Sequence, residues 1–230
     1  MTKLNLAVIG ATTLLSGALL AIPTAARADD GPWLVRLRGI YIAPTNDSDA
    51  ISVPGALSVP KNSVHESDKW APEMDFEYFF ASHWSSELVL TYPQRHDVTV
   101  KNATIYPSGS AATVPSVVIG SFKELPPTLT LKYNFLPDGV FRPYVGAGIN
   151  VTSISDVRLN VPTVGAVKLE STTVGFATQA GFDYRLVRNW FMNVDLKYVQ
   201  IEPDLKYSGR KIATVKVDPI LAGVGIAYRF

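Results

Sequence analysis

The 230-residue sequence contains no cysteine. That removes disulfide frameworks, thiolate metal centres and cysteine nucleophiles together. Histidine is scarce: His65, His83 and His96 are the whole supply, and none stands at metal-ligand spacing. Lys and Arg total 21 against 20 Asp and Glu, so there is no basic excess to hold nucleic acid. Beyond residue 28 no apolar run approaches 18 residues, which excludes a spanning helix there, and no stretch carries a convincing helical period. Gly146-Ala147-Gly148 is no phosphate loop, because no helix start follows it. No cofactor is implied.

What is present begins with an export pattern. Lys3 is followed by the mostly apolar stretch 4–22, then Pro23, then the small-x-small triplet Ala26-Arg27-Ala28. These features predict a cleaved signal over residues 1–28 and a mature chain of residues 29–230. A membrane anchor is the alternative, since the stretch is nearly long enough to span a bilayer. Cleavage removes Lys3 and Arg27 and turns the formal charge of +1 slightly negative.

The mature chain reads as eight alternating stretches, near 33–42, 74–80, 84–92, 128–135, 143–152, 173–184, 190–201 and 220–230. Period-two alternation is the mark of a strand whose faces meet different surroundings. The connections around 81–83, 136–142 and 185–189 are short. Those at 43–72, 93–124, 153–170 and 202–216 are long and rich in Pro, Ser, Asn, Asp and Gly. An even strand count with short turns at one end and long loops at the other predicts an all-β fold: an eight-stranded antiparallel transmembrane β-barrel with short periplasmic turns and long extracellular loops.

Parity assigns the faces. One set holds Val35, Leu37, Phe76, Leu88, Leu129, Leu131, Val145, Ile149, Phe176, Val194 and Leu196, with no charge among its members. Trp33, Phe80, Trp84, Phe135, Tyr184, Trp190 and Phe230 gather at the short-turn end, as an interfacial girdle requires. A soluble sandwich or lipocalin-like barrel would turn this set inward, but eight strands enclose too little space for so many aromatics. The apolar face therefore belongs against outer-membrane lipid. The terminal Phe230 is expected to engage the barrel-assembly machinery.

The opposite parity carries Arg36, Arg38, Asp75, Glu77, Glu87, Lys132, Asp183, Asp195, Lys197 and Arg229 near the short-turn end. Charges so confined must be paired, which predicts a polar plug on the periplasmic side. Higher up, the inward positions become Ile40, Ile42, Val89, Val199, Ile201 and Leu221, beside Gly146, Gly148, Gly175 and Gly223. They predict a hydrophobic channel lining with room for a small apolar molecule. Plain apolar filling of a narrow barrel is the other reading. A ligand stopped by a charged floor would leave sideways. Pro126 and Pro127, with Pro93 opposite, are candidates for a lateral opening because proline donates no ladder hydrogen bond. Alternatively these prolines merely end strands. His83-Trp84-Ser85 is similar to the His-x-Ser of lipid A deacylases, but no carboxylate partner is identifiable, and no enzyme is expected.

The run Leu125-Pro126-Pro127-Thr128-Leu129, the run from Phe141 to Asn150, Asn189-Trp190, Asp218-Pro219 and the terminal Tyr228-Arg229-Phe230 closely resemble the OmpW family of outer-membrane proteins. The resemblance spans most of the mature chain and is weakest at 43–72, 93–122 and 202–216. It implies an eight-stranded barrel with a hydrophobic channel that passes small apolar molecules and releases them laterally. It also brings colicin-receptor and stress-tolerance roles. One departure stands out: Lys197 occupies a position resembling a constriction tryptophan of a family member, with Val89 at its aliphatic partner. A lysine there departs from that gate and favours amphipathic over purely apolar ligands. The expected function is passive uptake of small hydrophobic or amphipathic molecules across the outer membrane. A structural barrel with a sealed lumen, acting through its extracellular loops, is the alternative.

Overall fold

A computed structural model describes residues 31–161 and 163–230; the expected signal over 1–28 lies outside them. Eight wall strands run antiparallel in chain order. In the membrane zone they are Trp33–Ala43, Lys69–Phe79, Trp84–Thr91, Thr128–Asn134, the lower part of Phe141–Val161, Thr172–Val187, Trp190–Val199 and Ile220–Arg229. Each pairs with the next, and the first pairs with the eighth from Leu34↔Arg229 to Ala43↔Ile220, which closes the cylinder. Closure removes the unpaired edges that lipid cannot satisfy.

Alternation fixes the faces as the sequence predicts. Leu37, Leu131, Ile149, Leu196, Val224 and Ile226 are each about half exposed on the outside, while Arg36, Arg38, Glu77, Glu87 and Lys132 are fully buried inside. Exposed leucines around buried arginines invert the order of a soluble protein and require an apolar solvent outside. Trp33, Trp84, Phe135, Tyr184, Trp190 and Phe230 ring the short-turn end. Tyr41, Trp70 and Tyr92 mark the other limit, with Tyr41 and Trp70 in ring contact. Eight residues separate Trp33 from Tyr41; at about 3.4 Å each and a tilt of about 40° they span roughly 20 Å.

The long connections differ from the expected loops. Much of each is extended strand that carries the wall outward. The third and fourth wall strands continue into the hairpin Gln94–Ile105 with Ala112–Leu125. The fifth runs on to Val161, and the short strands Ile51–Val53, Leu57–Val59, Val64–Glu66, Gly165–Leu169, Asp204–Tyr207 and Arg210–Lys216 pair around it. These segments carry their own alternation, with Val98, Val100, Leu159, Val161 and Val215 turned inward and buried. Bulges at Gly120 and around Asp156 interrupt the period and made the segments read as loops. The inward apolar residues form one cluster from Leu221, Ile40 and Val199 in the wall up to Leu57 and Ala213 in this outer storey.

Candidate functional site: the stratified lumen

Four layers fill the barrel. At the base, Leu34, Phe191 and Ala227 pack together with Phe79 against them. Above them lies the ionic layer. Arg36 reaches Glu77 at 2.5 Å, Asp183 at 2.6 Å and Glu87 at 2.9 Å. Arg38 bonds Asp75, lies 2.9 Å from Glu73 and 3.5 Å from Asp195, and donates to Asn193 Oδ1 at 3.0 Å. Lys132 sits 3.1 Å from Glu77 and 3.6 Å above the Tyr144 ring, and Lys197 is 3.3 Å from Glu73. Buried charges survive only with such dense pairing.

Local geometry makes the room. A Cβ at Gly146 would sit 3.0 Å from the Lys132 and Gln179 stems, and one at Gly181 would meet the Tyr144 hydroxyl at 2.6 Å. The glycine at 146, expected to leave space for a ligand, instead leaves space for plug side chains. Tyr144 crosses beneath them and donates to Asp195 at 2.9 Å.

The plug residues expected from parity therefore meet in one network, with two qualifications. Arg229 lies at the base, where its Nε donates to the Gly31 carbonyl at 2.8 Å and its guanidinium stands 3.9 Å over Phe79. Glu73 and Tyr144 belong to the network although sequence reasoning passed over them. Tyr144 was legible, since it alternates with the lipid-facing Val145. His83 and Ser85 are absorbed structurally: His83 Nδ1 lies 2.7 Å from the Asn134 carbonyl, and Ser85 donates to Glu77.

The third layer holds Ile40, Ile42, Val199, Ile201 and Leu221, all 6 % exposed or less and packed in the apolar cluster. Val89 is buried too, beside Asp75 and Thr128 in register. These six lie beneath the apolar cavity rather than around it. The cavity belongs to the outer storey, where Ile51, Leu57, Val100, Ile119, Leu159 and Val167 are among its walls and Glu66 is the one charged residue lining it. Its volume is about 30 Å³, room for a water-sized guest.

The wall is discontinuous at the upper aromatic level. Pairing of the third and fourth strands stops at Val89↔Thr128 and resumes at Gln94↔Glu124, so residues 90–93, including Pro93, face residues 125–127, including Pro126 and Pro127. Pairing of the second and third strands stops at Glu73↔Thr91 and resumes at Glu66↔Val98. Near Tyr92 and Pro93 the third strand thus lacks ladder pairs on both sides. Immediately behind this stretch sit Gln94, His96 and Glu124, all buried.

The OmpW family model matches residues 29–230. The chain belongs to the OmpW family. This OmpW-family barrel is 34% identical to an uncharacterized outer-membrane protein, y4mB, of Sinorhizobium fredii, over 97% of this chain and 95% of that protein. It is 30% identical to the dibenzothiophene metabolism operon protein PahQ of Pseudomonas aeruginosa, over 92% of this chain and 93% of the relative. Among solved structures, the outer membrane protein OprG of Pseudomonas aeruginosa superposes with a TM-score of 0.71 at 26% identity, covering 88% of this chain and 97% of that one. The OmpW-family barrel is an outer-membrane protein.

Proposed function

We propose that the barrel is a passive channel for small hydrophobic and amphipathic molecules, taken from the outside and released sideways into the membrane. The observation that carries this reading is the layering: a largely apolar interior ends below on an ion-paired floor, and the wall above that floor is interrupted at Pro93, Pro126 and Pro127. A polar solute gains nothing in the outer storey, where aliphatic side chains dominate the lining. An apolar solute gains about 25 cal/mol for each Å² it withdraws from water. The relation to a protein named for a dibenzothiophene metabolism operon supports the same class of solute. A cavity of about 30 Å³ is a closed arrangement; passage requires the outer hairpins and their aliphatic side chains to part.

That small volume is also what favours the second reading, a sealed barrel acting through its extracellular hairpins. Uptake decides between them. Vesicles with lipopolysaccharide in the outer leaflet are loaded with the protein and offered naphthalene. The channel reading expects faster uptake than in protein-free vesicles, and slower uptake in Val89→Trp or Ile201→Trp barrels that still migrate as folded. Uptake no faster than in empty vesicles supports the sealed barrel.

A further inference from the structure

Glu66, His96 and Glu124 come together in the outer storey from three segments far apart in sequence. His96 Nε2 lies 3.3 Å from Glu124 Oε1, and His96 Nδ1 lies 3.9 Å from Glu66 Oε2. All three are more than nine-tenths buried. Yet both ring nitrogens of His96, Glu66 Oε2 and Glu124 Oε2 have no hydrogen-bond partner. Buried polar atoms normally have one, and four orphaned atoms in one cluster call for an explanation.

Charge narrows it. Two carboxylates face one imidazole, so with both acids ionised the cluster is negative even when His96 is protonated. The cations on the adjoining strands do not compensate. Arg95 and Lys101 are exposed, and Lys123 turns outward to Asp156 at 2.7 Å. Asp97 and Arg158 are likewise outside, and His65 alternates away from Glu66. Burial and the facing Glu124 push the Glu66 carboxyl well above the usual range, so with no cation at hand that acid holds a proton, which an arriving ammonium displaces. The three side chains do not converge as a metal-holding group among the described residues. The cluster adjoins apolar walls on one side: Glu66 and Phe122 line the cavity, and the His96 ring stacks on Phe122 at 5.9 Å. On the other side is the unpaired stretch near Pro93.

We propose that Glu66, His96 and Glu124 form a head-group site for a cationic amphiphile, an organic ammonium whose hydrocarbon part enters the apolar cavity as the outer hairpins and their aliphatic side chains part. The proposal rests on the channel reading for how the ligand arrives. The ammonium donates to the orphaned carboxylate oxygens, the charge it brings is the one the cluster lacks, and the apolar tail lies against Val98, Val100 and Ile119. Position gives the site its consequence: it stands between the cavity and the side opening, so it selects among amphiphiles at the exit.

The test uses the full barrel in lipid nanodiscs, labelled with ¹⁵N-histidine and ¹³C-methyl valine. Hexylammonium, 1-hexanol and hexane are compared at equal membrane-bound concentration. The expected result is a shift of the His96 ring signals by hexylammonium at a concentration at least tenfold below that needed for hexanol. Glu66→Gln with Glu124→Gln is expected to abolish this preference while hexane still shifts the Val100 methyls. Equal potency of amine and alcohol overturns the proposal, as does a preference that survives in the double variant. If the double variant does not fold, the wild-type comparison decides alone. Hexane shifting the cavity methyls while the amine has no advantage sinks the head-group site and leaves the channel reading standing. No methyl shift with any of the three sinks both.

Discussion

Replacing Arg36 by methionine removes the hub of the ionic layer. The guanidinium stands within 3 Å of Glu77, Glu87 and Asp183, and all four side chains are essentially inaccessible. Methionine fills much of the volume but leaves Asp183 with the hydrogen bond donated by Asn193. Glu77 and Glu87 then share Lys132. Breaking a buried pair by removing one partner costs about 3–5 kcal/mol. With a urea slope of about 2 kcal/mol per M, the unfolding midpoint in lipid vesicles falls by roughly 2 M. Tryptophan fluorescence follows the transition, and heat-modifiable gel migration confirms the barrel. Adding Asp183→Asn to Arg36→Met removes one stranded charge, so the double variant is expected to recover part of the loss. A midpoint lowered by less than the equivalent of about 1 kcal/mol, with no recovery in the double variant, would refute the idea that these pairs hold the floor.

Other outcomes follow from the same layering. Leu131→Arg places a charge against acyl chains and is expected to cost about 2–4 kcal/mol by the same urea titration, whereas Tyr92→Arg at the interface costs about 1 kcal/mol or less. Pro126→Thr with Pro127→Thr supplies ladder donors; hydrogen exchange around residues 90–93 is expected to slow and naphthalene release to fall, and unchanged exchange counts against a gap maintained by proline. Glu66→Gln tests linkage. An acid whose folded pKa is raised contributes stability fully below its unfolded pKa and loses it as pH rises through the folded pKa. Amide protection of the strand Val64–Glu66 in the wild type is therefore expected to fall as pH rises above the ordinary carboxyl range, and to stay flat in the variant.

The wall was legible because a membrane barrel tolerates few errors of parity. Leu129, Thr130, Leu131 and Lys132 must alternate between lipid and lumen, and one misplaced charge on the lipid side is costly. Charge on the inward parity gave Arg36, Asp75 and Lys132 their layer. Glu73 escaped because it lies just before the stretch 74–80 that reads as the second strand, next to Pro72. Pro72, one residue beyond the last second-to-third strand pair Glu73↔Thr91, pairs only with Gly39 of the first strand, which is where a proline can sit. His96, Glu66 and Glu124 escaped for a related reason. They lie in segments whose glycines, prolines and bulges resemble loops, although Gln94, His96, Val98 and Val100 keep the alternation that places them inside. The glycines were misjudged because sequence reveals a missing side chain but not which neighbour takes its place, and at Gly146 the neighbours are Lys132 and Gln179.

The route itself is most directly tested by photolabelling the reconstituted barrel with a short alkyl diazirine and mapping the adducts by mass spectrometry. Adducts are expected on the lipid-facing strands from membrane-dissolved probe, and additionally on cavity residues such as Val100 and Leu159 and beside the gap at Leu125, with none at Leu34 or Phe191. Labelling restricted to the lipid face, or reaching the base beneath the ion pairs, would contradict a channel that admits apolar molecules from above and turns them aside at the floor.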